Sequence, residues 1–248
     1  MKYKLLILSA LPLLLFFSCK KDKPEDPVEE PKEIQMDLVP YFGSQQLYLD
    51  SVYTTDENYL IQFQEVRLYM SNFAHEGRIL PDVALFNLRQ TQHAFLKTQA
   101  DAGDFTSINA YLGIDSLRNH ADPSSFPTTS PLNVMNANDM HWGWNPGYIF
   151  MYIDAKIDTI PDATVNLDHF LSFHIGKDQF KQNLFFSNVP WTAVSGTLSK
   201  ATLKLDLKQF LYAPYILDLK GENISHTGPG QDDLSLRLIR NFANALHF

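Results

Sequence analysis

Tyr59-Leu60-Ile61-Gln62-Phe63-Gln64-Glu65-Val66-Arg67-Leu68-Tyr69-Met70 is the stretch that sets the architecture. Apolar side chains fall at 61 and 63, then at 66, 68 and 70. Alternation with a period of two marks a half-buried strand, and the slip between 63 and 66 predicts a bulge. Tyr148-Ile149-Phe150-Met151-Tyr152-Ile153-Asp154 is apolar almost throughout, which predicts a strand buried on both faces. Residues 167–175 and 201–207 are further strand candidates. In the second, Leu203, Leu205 and Leu207 alternate with Lys204, Asp206 and Lys208. Turn formers separate these runs at Glu76-Gly77, Ala102-Gly103-Asp104, Asn145-Pro146-Gly147 and Gly228-Pro229-Gly230. One helix is expected near the end of the chain. Asp232 and Asp233 stand where a helix dipole favours negative charge, ahead of Leu234, Leu238, Ile239, Phe242 and Leu246 on one face. The fold class is therefore mostly β: a single β-sandwich-like domain with long irregular loops and a C-terminal helix.

Composition agrees. The 248 residues are 45% hydrophobic and only 19% charged, which excludes a disordered chain. The net charge of −8 argues against nucleic acid as a partner, because phosphate recognition needs a basic surface. A single cysteine excludes an internal disulfide framework and Cys-rich zinc sites. That cysteine has a telling position. Lys2 and Lys4 precede an apolar run from Leu5 to Phe17, too short to span a bilayer, which needs about 20 residues, but suited to a signal peptide. The run ends in Leu15-Phe16-Phe17-Ser18-Cys19, which looks like a lipobox, so residues 1–18 read as a lipoprotein signal peptide and Cys19 as the lipidation site. An acylated N-terminus gives a membrane anchor. Residues 19–35 contain three prolines and few apolar side chains, and read as a disordered tether. Residues 36–248 remain as the β domain. The expected location is the bacterial cell envelope, as an outer-membrane lipoprotein facing the periplasm or the cell surface.

No GxSxG, Walker, HExxH, GxGxxG or EF-hand motif occurs, and no enzymatic activity is expected. Ser225-His226 are neighbours, but no nucleophile elbow surrounds them. The chemically informative residues are eight histidines and a set of methionines that includes Met36, Met70, Met135, Met140 and Met151. Imidazole and thioether donors, without an acid-rich loop, favour copper, especially Cu(I), over calcium or magnesium. The densest stretch runs from His120 to Tyr148 and holds Met135, Met140, His141, Trp142 and Trp144. In an extended segment the two indoles of Trp142-Gly143-Trp144 fall on one face.

Met140-His141-Trp142-Gly143-Trp144-Asn145-Pro146-Gly147-Tyr148-Ile149-Phe150 strongly resembles the MxWxWxxGYxF core of the MbnP-like copper-binding family. The order of weaker motifs agrees: Arg67 to Asn72, Leu112 to His120, Ser130-Pro131-Leu132, Phe173-His174-Ile175-Gly176, and His226 to Gly230 followed by Asn241-Phe242 and Phe248. The resemblance spans about residues 36–248. It implies a periplasmic or surface protein that binds copper. For some members it implies a diheme MauG-type oxidase as partner, converting a tryptophan to kynurenine. Carried over, the candidate ligands are His120, His174 and His226. Trp144 or Trp142, with Trp144 favoured, is the candidate for kynurenine, and Tyr148 shields the pocket. His141 departs from the aromatic residue expected there and is a candidate extra ligand. His169, His75, His93 and His247 rank low.

Two functions of different kind follow. The first is a lipid-anchored envelope protein that captures copper with histidines beside a Trp-x-Trp motif open to oxidative modification. The alternative is a non-metal glycan- or protein-binding β-sandwich module of the envelope, using exposed aromatic side chains as a platform. Convergence of the histidines discriminates between them.

Overall fold

The structure, a computed structural model, describes residues 30, 32–90, 94–137, 139–143, 146–160, 162 and 164–248. The signal peptide, Cys19 and most of the tether lie outside the described residues, as do His93, Trp144 and Asn145. All described residues but Glu30 belong to one unit, Pro31–Phe248.

Two sheets form the domain. The Leu60–His75 strand is the spine of the larger one, which has nine strands among the described residues. Its central order is Gln182–Phe186, Ile108–Leu112, Leu60–His75, Ile149–Asp158, His169–Gly176 and Ile224–Ser225. The expected bulge is present: the pairing with Ile149–Asp158 shifts register between Phe63 and Glu65. On either side of it, Ile61 and Phe63, then Val66 and Leu68, turn inward, while Glu65 and Arg67 remain partly exposed. One inserted residue thus keeps both halves of the strand facing the same core.

The smaller sheet has six strands among the described residues. Its centre is the Glu33–Phe42 strand, paired in parallel with Leu198–Asp206 and antiparallel with Ala94–Gln99. The Glu33–Phe42 strand alternates cleanly, with Ile34, Met36 and Leu38 fully buried. It opens at Glu33, before the domain start that composition suggested. The main core joins these side chains to Phe63, Ile153 and Phe173 of the larger sheet and to Leu238, Ile239 and Phe242 of the Asp232–Asn244 helix. A second, smaller core gathers Tyr69, Ile114, Leu132, Met140, Tyr148, Ile149 and Phe150 under the long loops.

The fold is mostly β and sandwich-like, as expected, and three local differences have physical causes. The strand after Tyr148 runs Ile149–Asp158 and is not buried on both faces, because Tyr152, Asp154 and Lys156 look outward. Tyr148 itself stands before it, in an isolated bridge with His141. The strand near residue 201 ends at Asp206, whose carboxylate accepts the Lys208 and Gln209 N–H groups and caps a short helix, Leu207–Tyr212. The terminal helix stops at Asn244, so Leu246 and His247 form a short strand on Leu198–Asp206 instead of a last turn.

Candidate functional site

Alternation on three neighbouring strands builds the site. Tyr152 and Asp154 project outward from the Ile149–Asp158 strand, and Ser172 and His174 project outward from His169–Gly176. The pairing sets His174 opposite Tyr152 and Ser172 opposite Asp154. Ile224–Ser225 joins in parallel beside Ser172 and Phe173, which delivers His226 to the same face.

The resulting cluster is tight. The His174 and His226 rings stack at 5° with centroids 4.4 Å apart. Tyr152 stacks on the other side of His174 at 3.7 Å, and the Arg67 guanidinium lies 4.9 Å from the Tyr152 ring centre. Ser172 Oγ stands 3.0 Å from His226 Nε2 and 3.3 Å from His174 Nε2. It donates to Asp154 Oδ1 at 2.8 Å, and that same oxygen lies 3.0 Å from His174 Nε2. Burial would raise the Asp154 pKa, but hydrogen bonds from His174 and Ser172 outweigh it and hold the carboxyl below its ordinary value. Burial, and then the neighbouring His174, push the His226 imidazole below its ordinary value. Burial lifts the Tyr152 hydroxyl to about 12.

The segment carrying His226 is held from several sides. Its backbone N–H and that of Gly228 donate to Gln231 Oε1, each at 2.9 Å. Lys177 Nζ donates to the Thr227 carbonyl, and the buried Ser225 and Ser235 hydroxyls bond each other.

Continuing from His174, Gly176 is where Trp142 packs: a Cβ at Gly176 would lie 2.8 Å from Trp142 Cζ3 and run into the Tyr148 carbonyl oxygen. Two residues further, Asp178 receives His120 Nε2 at 3.2 Å, the Asn119 amide at 2.8 Å and the Ser116 hydroxyl. Burial would raise the Asp178 pKa, but these bonds prevail and lower it. Asn119 is fully buried and also accepts the Tyr148 N–H at 2.8 Å. His120 thus sits beside Asp178, not with the histidine pair.

His141 is elsewhere again. Its ring meets Tyr148 edge-on at 4.5 Å, and its Nδ1 accepts the Gly143 N–H at 3.1 Å. Its Nε2 is buried with no hydrogen-bond partner among the described residues, and burial lowers its pKa. Tyr148 is fully buried, donates to the Leu132 carbonyl, and has its pKa lifted to about 12 by burial. Trp142 is partly buried against this smaller core and forms no flat exposed face.

Of the predicted ligands, then, His174 and His226 come together, while His120 and His141 occupy separate places. Sequence reasoning missed Asp154, Ser172 and Tyr152. The available signal was alternation: Asp154 breaks an apolar run, and Ser172 shares its phase with His174. His75, ranked low as a ligand, is mostly enclosed and bonds Ser107 Oγ at 2.9 Å. Among the described residues, no group of three or more His, Cys, Asp or Glu is arranged to hold a metal ion. Two parallel imidazoles do not aim their in-plane lone pairs at one point between them.

Fold and site together define a mostly β, sandwich-like domain with an imidazole pair on the outer face of its larger sheet. The model of the MbnP family matches residues 31–228, and the chain belongs to that family. Among solved structures, the chain is similar to MbnP from Methylosinus trichosporium, with 15% identity over 73% of this chain and 77% of that one and a TM-score of 0.46. No curated protein matches the chain.

Proposed function

We propose that this protein is a lipid-anchored copper-binding protein of the bacterial envelope, and that His174 and His226 capture the ion once one ring turns out of the parallel stack. Family membership supports the link to copper. The observation that carries the assignment to these residues is the convergence of two imidazoles, 52 positions apart, on a single serine hydroxyl. Nitrogen donors without thiolate suit copper, and Cu(I) accepts low coordination. Lowering of the His226 pKa favours the neutral, ligating form. Trp142 packs against Gly176, two residues beyond His174, so an oxidised indole of the Trp-x-Trp motif, with Trp144 the favoured candidate for kynurenine, is read as belonging to the same site and a diheme oxidase as the partner that makes it. The cluster is not a Ser-His-Asp triad. In a triad serine and aspartate hold opposite nitrogens of one imidazole, whereas here both lie at Nε2 of His174.

The test is Cu(I) titration of the full chain against a competing chelator, with metal analysis and intact mass of the protein from its own host. His174→Ala and His226→Ala are expected to weaken copper at least about 100-fold. His120→Ala and His141→Ala are expected to change it less than about tenfold. Wild-type affinity should fall on acidification, because protonated imidazole cannot coordinate. An affinity that is flat from about pH 7.5 to 5, or unchanged in both pair variants, contradicts imidazole capture.

A further inference from the structure

We propose that the outer face of the larger sheet, at the His75 end of its spine strand, is a second binding site whose ligand is a neutral sugar. This site needs no metal and shares no residue with the imidazole pair. Its strand Ile108–Leu112 meets the spine at Met70 to Ala74, whereas the pair stands where Ile149–Asp158 meets it, between Leu60 and Leu68.

Strand register lays out the site. Ala74 pairs with Ile79 on one side and with Asn109 on the other, and Asn109 pairs with Phe185. Directly opposed residues of antiparallel strands share a face, so these four side chains form one row across four strands. The next row sets Asn183 beside Tyr111. Ile79 is 74% exposed and Phe185 65%, with the small Ala74 between Ile79 and Asn109. A bulge between Ser71 and Ala74 and the left-handed Asn72, at φ +54°, break the strand beside this row. The result is a trough of about 510 Å³, lined by Asn72, Ala74, Ile79, Asp82, Asn109 and Asn183 among others. That volume lies in the range of small-molecule sites.

The lining suits hydroxyl groups. A sugar hydroxyl both donates and accepts, and so does a carboxamide. Asn109 and Asn183 are exposed, and neither side chain has a hydrogen-bond partner among the described residues. The Asn72 carboxamide oxygen accepts from Arg118, which leaves its NH₂ group free to donate. Charge selects against ions. Arg118 already pairs with Asp82 at 2.6 Å, an anionic ligand would meet Asp82, and a cationic one would meet Lys181, whose ammonium lies 3.9 Å over the Tyr111 ring. Phe185 is left as the open ring, against which the C–H face of a pyranose can lie. An extended peptide added to the Gln182–Phe186 edge would pair backbone groups but leave the amides of Asn72 and Asn109 unused.

The experiment applies the fluorescently labelled full chain to an array of immobilised neutral and acidic oligosaccharides, then titrates the neutral oligosaccharide that binds in solution. Saturable binding to neutral glycans is expected, with a Kd below about 1 mM. Asn183→Ala and Phe185→Ala, both at exposed positions, should each weaken it by about 3–10-fold. Ala74→Leu, which fills the trough from its floor and removes no polar group, should abolish it. A blank array, binding confined to acidic glycans, or an affinity unchanged in all three variants overturns the proposal. Capture of the labelled chain by an immobilised copy of itself, in place of any glycan, also overturns it and assigns the face to a protein partner.

Discussion

Gly176 shows how much a missing side chain can organise. It lies between His174 and Asp178, and its bare Cα gives Trp142 and the Tyr148 carbonyl a place to rest. Gly176→Ala is expected to cost about 1–3 kcal/mol through overpacking, read as a lower urea midpoint, with a shifted indole emission as Trp142 moves. An unchanged midpoint and spectrum would mean that the ring does not pack there. At this scale the sequence was half legible. Resemblance picked out His174 and His226, but nothing along the chain reveals which of several histidines share a face. Asp154, Ser172 and Tyr152 escaped because their role depends on strand register, and one residue of slip would have turned all three inward. His141 looked like a donor, yet its Nδ1 already accepts a backbone N–H, a local bond that composition cannot show.

Among elements, the Ser116–Asn119 turn is small but ties the loops to the sheet. Asp115 caps it by accepting the Arg118 N–H at 3.1 Å. Its last residue, Asn119, donates to Asp178 and accepts from Tyr148, so one amide joins the His120 loop, the segment after Gly176 and the start of the Ile149–Asp158 strand. Asn119→Ala leaves the buried Tyr148 N–H unpaired. The expected loss is about 1–3 kcal/mol in denaturant unfolding, and stability equal to the wild type would show that another acceptor replaces the amide. Gly147 adds to the constraint, with φ at +73° and the Asn119 side chain directly over its Cα. Strands with strict alternation were read correctly, bulge included, because the period of two survives in the sequence. The Ile149–Asp158 strand was misjudged because Tyr152 is apolar in type yet faces outward, where the His174 ring covers it. Leu207–Tyr212 was missed because its Asp206 cap sits in phase with the strand before it.

For the whole molecule, acid should act through carboxylates held by arginine. Hydrogen bonds from Arg237 hold Glu222 below the ordinary carboxylate range. Its contribution is therefore present above the unfolded-state pKa and lost as pH falls through the lowered folded value. Both side chains are partly exposed, so screening limits the effect. Glu222→Gln should cost about 0.5–1 kcal/mol near neutral pH, with the gap to wild type closing in acid. A gap that stays constant with pH would assign the loss to packing. Overall class was legible because aromatic, alternating runs and turn formers carry it, whereas strand order was not, since pairing across long separations leaves no local mark. The Glu33–Phe42 strand makes this concrete. Its neighbour Ala94–Gln99 is made early, but its parallel partner Leu198–Asp206 emerges roughly 100 residues later, on the order of 5–20 s at ordinary rates of translation. A chain that emerges N-terminus first therefore presents one unzipped edge, flanked by Ile34, Met36 and Leu38, until the strand that closes it arrives.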